Sequence, residues 1–186
     1  MKKIILLTLA VILGAGTTVF GQSKLVSSKS HIKFFSTTQA EDIEANNTIA
    51  VSTLNTSTGE VVFSVPMQGF EFEKALMQKH FNGEDFLNTK EFPKAKLTGK
   101  ITNIDQIDFG SDGSYEAHVV GDLTIKGVTK PVHEKGTITV KGGEVETKSK
   151  FNVTLADYGI EFVKGKPSSN IAKTVEVTVQ TAYSKN

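Results

Sequence analysis

Gly121-Asp122-Leu123-Thr124-Ile125-Lys126-Gly127-Val128-Thr129-Lys130-Pro131-Val132 reads as a strand, a tight turn and a second strand. Leu123 and Ile125 alternate with Asp122 and Thr124, the period of a strand with one buried face. Gly127 supplies the turn, and Pro131, which has no backbone N–H, is tolerated only near the start of the strand that follows.

The same period extends in both directions. Runs over residues 30–37, 48–54, 60–67, 94–101, 115–125, 132–140, 145–155 and 173–183 carry apolar residues at every second position, giving about eight strands. Ser57-Thr58-Gly59, Asp112-Gly113 and Gly142-Gly143 fall between them. Asp-Gly and Gly-Gly pairs accept positive φ and mark hairpins. Consecutive hairpins favour an antiparallel meander, and closure into a barrel would remove its exposed edges. Periodicity alone does not separate a barrel from a sandwich.

Two segments depart from the pattern. Residues 70–81 contain helix formers without a β-branched residue, predicting a short helix with Phe72, Leu76 and Met77 on one face. Residues 156–172 form a long connection containing Tyr158, Ile160 and Phe162, a suitable mouth or lid for a small barrel. The N-terminus is an address: Lys2 and Lys3, an apolar run from Ile4 to Leu13, then small residues up to Gly21. That is a secretory signal peptide over residues 1–21, with cleavage expected after Gly21, and its apolar run is too short for a permanent membrane anchor. Residues 22–186 are expected to form one domain in the periplasm or outside the cell.

Composition excludes several function classes. The 21 basic and 20 acidic residues nearly balance, and removal of Lys2 and Lys3 leaves 19 against 20. Nucleic acid is therefore not the expected partner. With no cysteine, the chain has no disulfide, no thiol chemistry and no cysteine metal site. His31, His80, His118 and His133 show no zinc-ligand spacing, and the pairs Glu84-Asp85 and Asp157 with Glu161 lie in polar loops. No catalytic residue, metal or cofactor is predicted. Twelve phenylalanines stand beside three tyrosines and no tryptophan. Six of them, from Phe63 to Phe92, surround the predicted helix and suit either a plug or an aromatic-lined mouth. The inward rows include Ala95, Gly99, Ala117, Gly121 and Gly136, small residues that either leave volume or mark bends.

The stretch from Gly121 to Val132 closely resembles the GDLTI-x-GVTKPV signature of the YceI-like family. Ser30-His31-Ile32-Lys33-Phe34 resembles that family's S-x-I/V-x-F first strand, and Phe86 to Ala95 resembles its F-x-x-x-x-x-Y/F-P segment. The family often shows Arg-Asp-x-His-Leu where this chain has Met77-Gln78-Lys79-His80-Phe81. The resemblance covers about residues 30–183. It implies an all-β, eight-stranded antiparallel, lipocalin-like β-barrel binding a polyisoprenoid, an isoprenoid quinone or a similar lipid lengthwise inside. On that basis the tunnel wall is placed at Ile32, Phe34, Phe63, Val65, Phe72, Leu76, Leu97, Val119, Leu123, Phe151 and Val153. His80, Tyr115 and Tyr158 are placed as polar contacts near a mouth. The expected function is non-catalytic carriage or sequestration of an apolar ligand, with homodimerisation left open. The alternatives are a cell-envelope interaction or stress-response module with a packed barrel, and a small-molecule enzyme using His80 or a loop carboxylate.

Overall fold

A computed structural model of the chain describes residues 23–160 and 170–184. The expected signal segment, and residues 161–169 of the expected long loop, lie outside the described residues. The strands are β1 (Lys24–Thr37), β2 (Asp42–Asn47), β3 (Val51–Asn55), β4 (Glu60–Pro66), β5 (Phe70–Phe72), β6 (Lys94–Ile101), β7 (Gly113–Ile125), β8 (Val128–Lys141), β9 (Glu144–Thr154) and β10 (Thr174–Ser184). One helix, α1 (Ala75–Asn82), lies between β5 and β6.

Every pairing is antiparallel, and the order follows the chain from β3 through β4 and β6 to β10. β1 then pairs β10 from Val26↔Ser184 to Phe35↔Glu176, closing the sheet into a barrel. On its other side, β1 pairs β3 at Lys24–Val26 and β2 at Ile32–Thr37. β2 and β3 are therefore two halves of one interrupted barrel strand, as are β4 and β5. Counted this way, the barrel has eight strands in up-and-down order.

Asn47 holds the two interruptions together. It is fully buried, its side-chain amide donates to the Pro66 carbonyl at 2.7 Å, and its side-chain oxygen accepts from the Ile49 N–H at 3.1 Å. One side chain thus bridges the β2–β3 break and the β4–β5 break and satisfies backbone groups that the ladders leave over.

The predicted helix starts later than expected. Phe70–Phe72 is strand β5, paired with Ala45–Asn47, and the helix spans Ala75–Asn82. Phe70 and Phe72 point to one face with Glu71 on the other, so the alternation outweighs the helix propensity of the residues that follow. Lys79 and His80 lie in the last turn of α1, where positive charge complements the helix dipole.

Two buried clusters fill parts of the interior, one towards α1 and one towards the β3–β4 and β8–β9 turns. Leu25, Leu54, Ile101, Ile107, Ile138, Val140, Val145 and Tyr183 pack into a buried cluster near the β3–β4 and β8–β9 turns. Tyr183 OH lies 2.7 Å from Ser52 Oγ, and burial pushes its pKa from 10.0 up to about 12. Gly99 and Gly121 face each other across β6 and β7. A Cβ on Gly121 would lie 2.5 Å from the Gly99 Cα and 2.5 Å from the Thr98 carbonyl oxygen. These glycines mark close approach of two backbones, not space for ligand.

Gly121→Val is expected to cost about 1–3 kcal/mol in urea denaturation, because the new side chain meets backbone that cannot move aside. Tyr183 predicts an alkaline effect. Its folded pKa lies above its unfolded value, so its contribution is complete below pH 10.0 and is lost as pH rises towards about 12. Stability measured across that window should fall less steeply in Tyr183→Phe than in the wild type.

Candidate functional site

At the other end the inward residues surround a cavity of about 830 Å³. Inward side chains such as Phe63, Val65, Leu97, Leu123, Phe151 and Val177 are only half-buried although they point into the barrel. They face open volume, which reaches as far as Leu54, Ile101, Ile138 and Tyr183 of the other cluster. The volume lies in the range of pockets that enclose a whole small molecule.

Helix α1 forms one border of this space. Phe81, on its inward side, packs among Phe34, Phe70, Phe72 and Phe86 with ring centroids 5.0–6.1 Å apart. Phe34 and Phe81 are nearly parallel, at 10°, and the tilted neighbours have the geometry aromatic pairs prefer. The cluster serves both as a plug under α1 and as cavity lining. The rim is polar. Lys74 Nζ lies 2.6 Å from Glu41 Oε1 across the opening, and that contact holds the Glu41 carboxyl below its ordinary value. Lys79 and His80 border the same opening.

All eleven residues placed on the tunnel wall border the cavity: Ile32, Phe34, Phe63, Val65, Phe72, Leu76, Leu97, Val119, Leu123, Phe151 and Val153. Leu76 is 63% exposed and belongs to the rim. Of the three residues placed as polar contacts, only His80 borders this space. Tyr115 packs against the buried cluster around Tyr183 and does not line the cavity. Tyr158 is buried in the 3-10 turn Leu155–Tyr158 that follows β9. It borders a separate cleft of about 400 Å³ in the side of the barrel, between β8 and β9.

Glu134 was not singled out in the sequence. It shares a face of β8 with Val132 and Gly136, lies opposite Val119, and borders both the cavity and the cleft. Burial pushes its carboxyl up, with His133 pulling weakly the other way. The available signal was parity: from Val132 to Ile138, every second residue is inward, and Glu134 falls in that row.

The remaining polar groups are occupied locally or exposed. His31 Nε2 lies 2.7 Å from Asn46 Oδ1, and His118 pairs with Glu116 on the outer surface. Among the described residues, no cluster of three histidine or acidic side chains is placed to hold a metal ion, and no helix is long and apolar enough to cross a membrane.

Comparison with known proteins matches residues 18–183 to the family model described as the YceI-like domain. A UPF0312 protein of Shewanella denitrificans is 29% identical over 121 residues, covering 62% of this chain and 60% of that protein. A UPF0312 protein of Pseudomonas putida is 33% identical over 108 residues, covering 55% and 51%. The chain thus aligns with only about half to three fifths of these relatives' length. Among solved structures, a polyisoprenoid binding domain from Saccharophagus degradans, implicated in plant cell wall breakdown, superposes with a TM-score of 0.76 at 12% identity, covering 89% of this chain and 99% of that one. Burkholderia cenocepacia BcnA superposes with a TM-score of 0.69 at 16% identity, covering 83% and 96%. At these identities the likeness is one of fold: an all-β, eight-stranded closed barrel with one short helix.

Proposed function

We propose, from the premise that this chain belongs to the YceI-like domain family, that it carries or sequesters one long-chain apolar ligand inside its barrel without chemically transforming it. The observation that carries this reading is the half-buried, apolar inward row around an 830 Å³ cavity inside the barrel. A polyisoprenoid, an isoprenoid quinone or a lipid of similar shape fits such a space, and the shared fold with a polyisoprenoid binding domain supports that class.

Size bounds the ligand. A chain carbon with its hydrogens takes about as much room as a water molecule, ~30 Å³, so the cavity holds on the order of 28 such groups. Each methylene transferred from water contributes about 0.8 kcal/mol of gross driving force. Ordering the chain offsets much of that gain. Selection would then follow chain length, branching and the few polar groups on the wall.

The site of action in this reading is the periplasm or the exterior. Protein recovered from the envelope of its own host is expected to begin at Gln22, which an intact mass measures directly. A mass retaining residues 1–21 would contradict export by this route.

The same preparation tests the cargo. Native mass spectrometry followed by lipid extraction should show a single apolar lipid at close to one per chain. Val119→Phe adds a ring to the cavity wall and should lower occupancy for the longest chains first. Protein that is reproducibly empty and takes up no added isoprenoid would overturn the carrier reading, and so would a folded Val119→Phe that binds every lipid as the wild type does.

A further inference from the structure

Among the described residues, β8 and β9 are paired along only part of their length, and the 3-10 turn Leu155–Tyr158 packs against β8 beyond it. The β8–β9 ladder starts at Lys141↔Glu144 and stops at Gly136↔Ser149. Beyond that point β8 pairs only with β7, and β9 only with β10. At the apex of this fork the Ser149 hydroxyl donates to the Lys135 carbonyl at 2.7 Å, ending the ladder with a side chain.

Pro131 lies on the unpaired stretch of β8. The two-residue turn at Lys126-Gly127, both with positive φ, makes Ile125↔Val128 the first hydrogen-bonded pair. Hydrogen-bonded and non-bonded pairs then alternate, so the Pro131 nitrogen faces away from β7 and into the fork. A proline there costs nothing in the ladder, because no strand is present to accept from it.

The fork lies between the cavity and the lateral cleft. Leu123, Val132, Glu134, Phe151 and Val153 border both the cavity and the lateral cleft. Four of the five are apolar. Glu134 makes no hydrogen bond or ion pair among the described residues. Tyr158 closes the upper side of the cleft, and its pKa is raised by burial and by the nearby Asp157 and Glu134 carboxylates. Lys130 and Asp157, both exposed, offset each other at the outer edge. The charge at the inner edge, next to the apolar wall, is that of Glu134.

We propose that the β8–β9 fork seats the headgroup of the bound lipid, with Glu134 accepting a hydrogen bond from a neutral hydroxyl group while the chain lies in the barrel. This assignment rests on the lipid-carrier reading and adds a headgroup class to it. A half-buried carboxylate beside an apolar wall gains from a hydroxyl donor and is destabilised by a second anion. Prenols and other hydroxyl-ended lipids fit, whereas phosphorylated or carboxylate-ended chains of equal length are disfavoured.

The test compares geranylgeraniol with geranylgeranyl monophosphate on the mature full-length chain, by displacement of a fluorescent lipid. The prenol is expected to bind about tenfold more tightly or better, and Glu134→Gln, which keeps the shape and removes the charge, should cut that preference severalfold. A prenol with a diazirine beside its hydroxyl gives a readout on the unaltered protein. Cross-links should fall on residues 130–134 and 152–158. Cross-links confined to residues 74–85 at the rim, equal affinity for the two lipids, or a preference unchanged in Glu134→Gln would each overturn the headgroup assignment and leave lipid carriage standing. Binding of neither lipid would overturn both.

Discussion

The antiparallel ladder between β1 and β10, from Val26↔Ser184 to Phe35↔Glu176, turns a meander into a tube. Without it the inward rows would line an open, strongly curved sheet with two free edges. The pairing joins strands near the two ends of the described chain, so it closes a very long loop and is entropically the most demanding contact in the fold. Cross-strand pairs Ile32↔Val179 and Phe34↔Val177 lie within it and face the interior. Apolar burial on that face offsets the closure cost and fixes the register, since a one-residue slip would turn Ile32 and Phe34 outward.

Once the tube is closed, its contents decide its use. Eight strands enclose just enough space either to be filled by side chains or to hold one small ligand. Here the two outcomes share one barrel. Around Tyr183 the inward residues form a buried cluster, of which Leu54, Ile138 and Tyr183 also border the cavity. Around Phe63 and Leu123 the same alternation continues without a partner across the axis, and α1 covers the end with Phe81 set among four other rings. Ring packing there supplies wall rigidity while leaving the volume beneath it open.

Much of this was legible from period-two alternation. The runs at residues 94–101, 115–125 and 145–155 correspond closely to β6, β7 and β9, because one face of each is consistently apolar. The wall residues follow from the same parity. What escaped were elements whose signal is polar or interrupted. β2 alternates Ile43, Ala45 and Asn47 inward, and a buried asparagine conceals the pattern until its partners, Pro66 and Ile49, are known. β5 is too short to carry a period and adjoins helix formers. For Gly99 and Gly121 the sequence leaves space and bend both open, since it does not show that two glycines face each other across a ladder. Glu134 lay in the inward row of β8 but was masked by the charged residues on either side of it.

The interruptions share a location. The β2–β3 and β4–β5 breaks, the end of β6 pairing at Pro66↔Lys94, and the β8–β9 fork all fall in the half of the barrel that contains the cavity. The opposite half carries the buried cluster around Tyr183 and one irregularity of its own, the register shift of β1 against β10 between Ser27 and Lys29. Local stability follows buried contacts and paired backbone, so the interrupted half is the less stable of the two. Pro131 disfavours extension of the β8–β9 ladder, because its nitrogen has no hydrogen to donate to a β9 carbonyl. In this barrel the missing hydrogen bonds are as much a part of the design as those that are made.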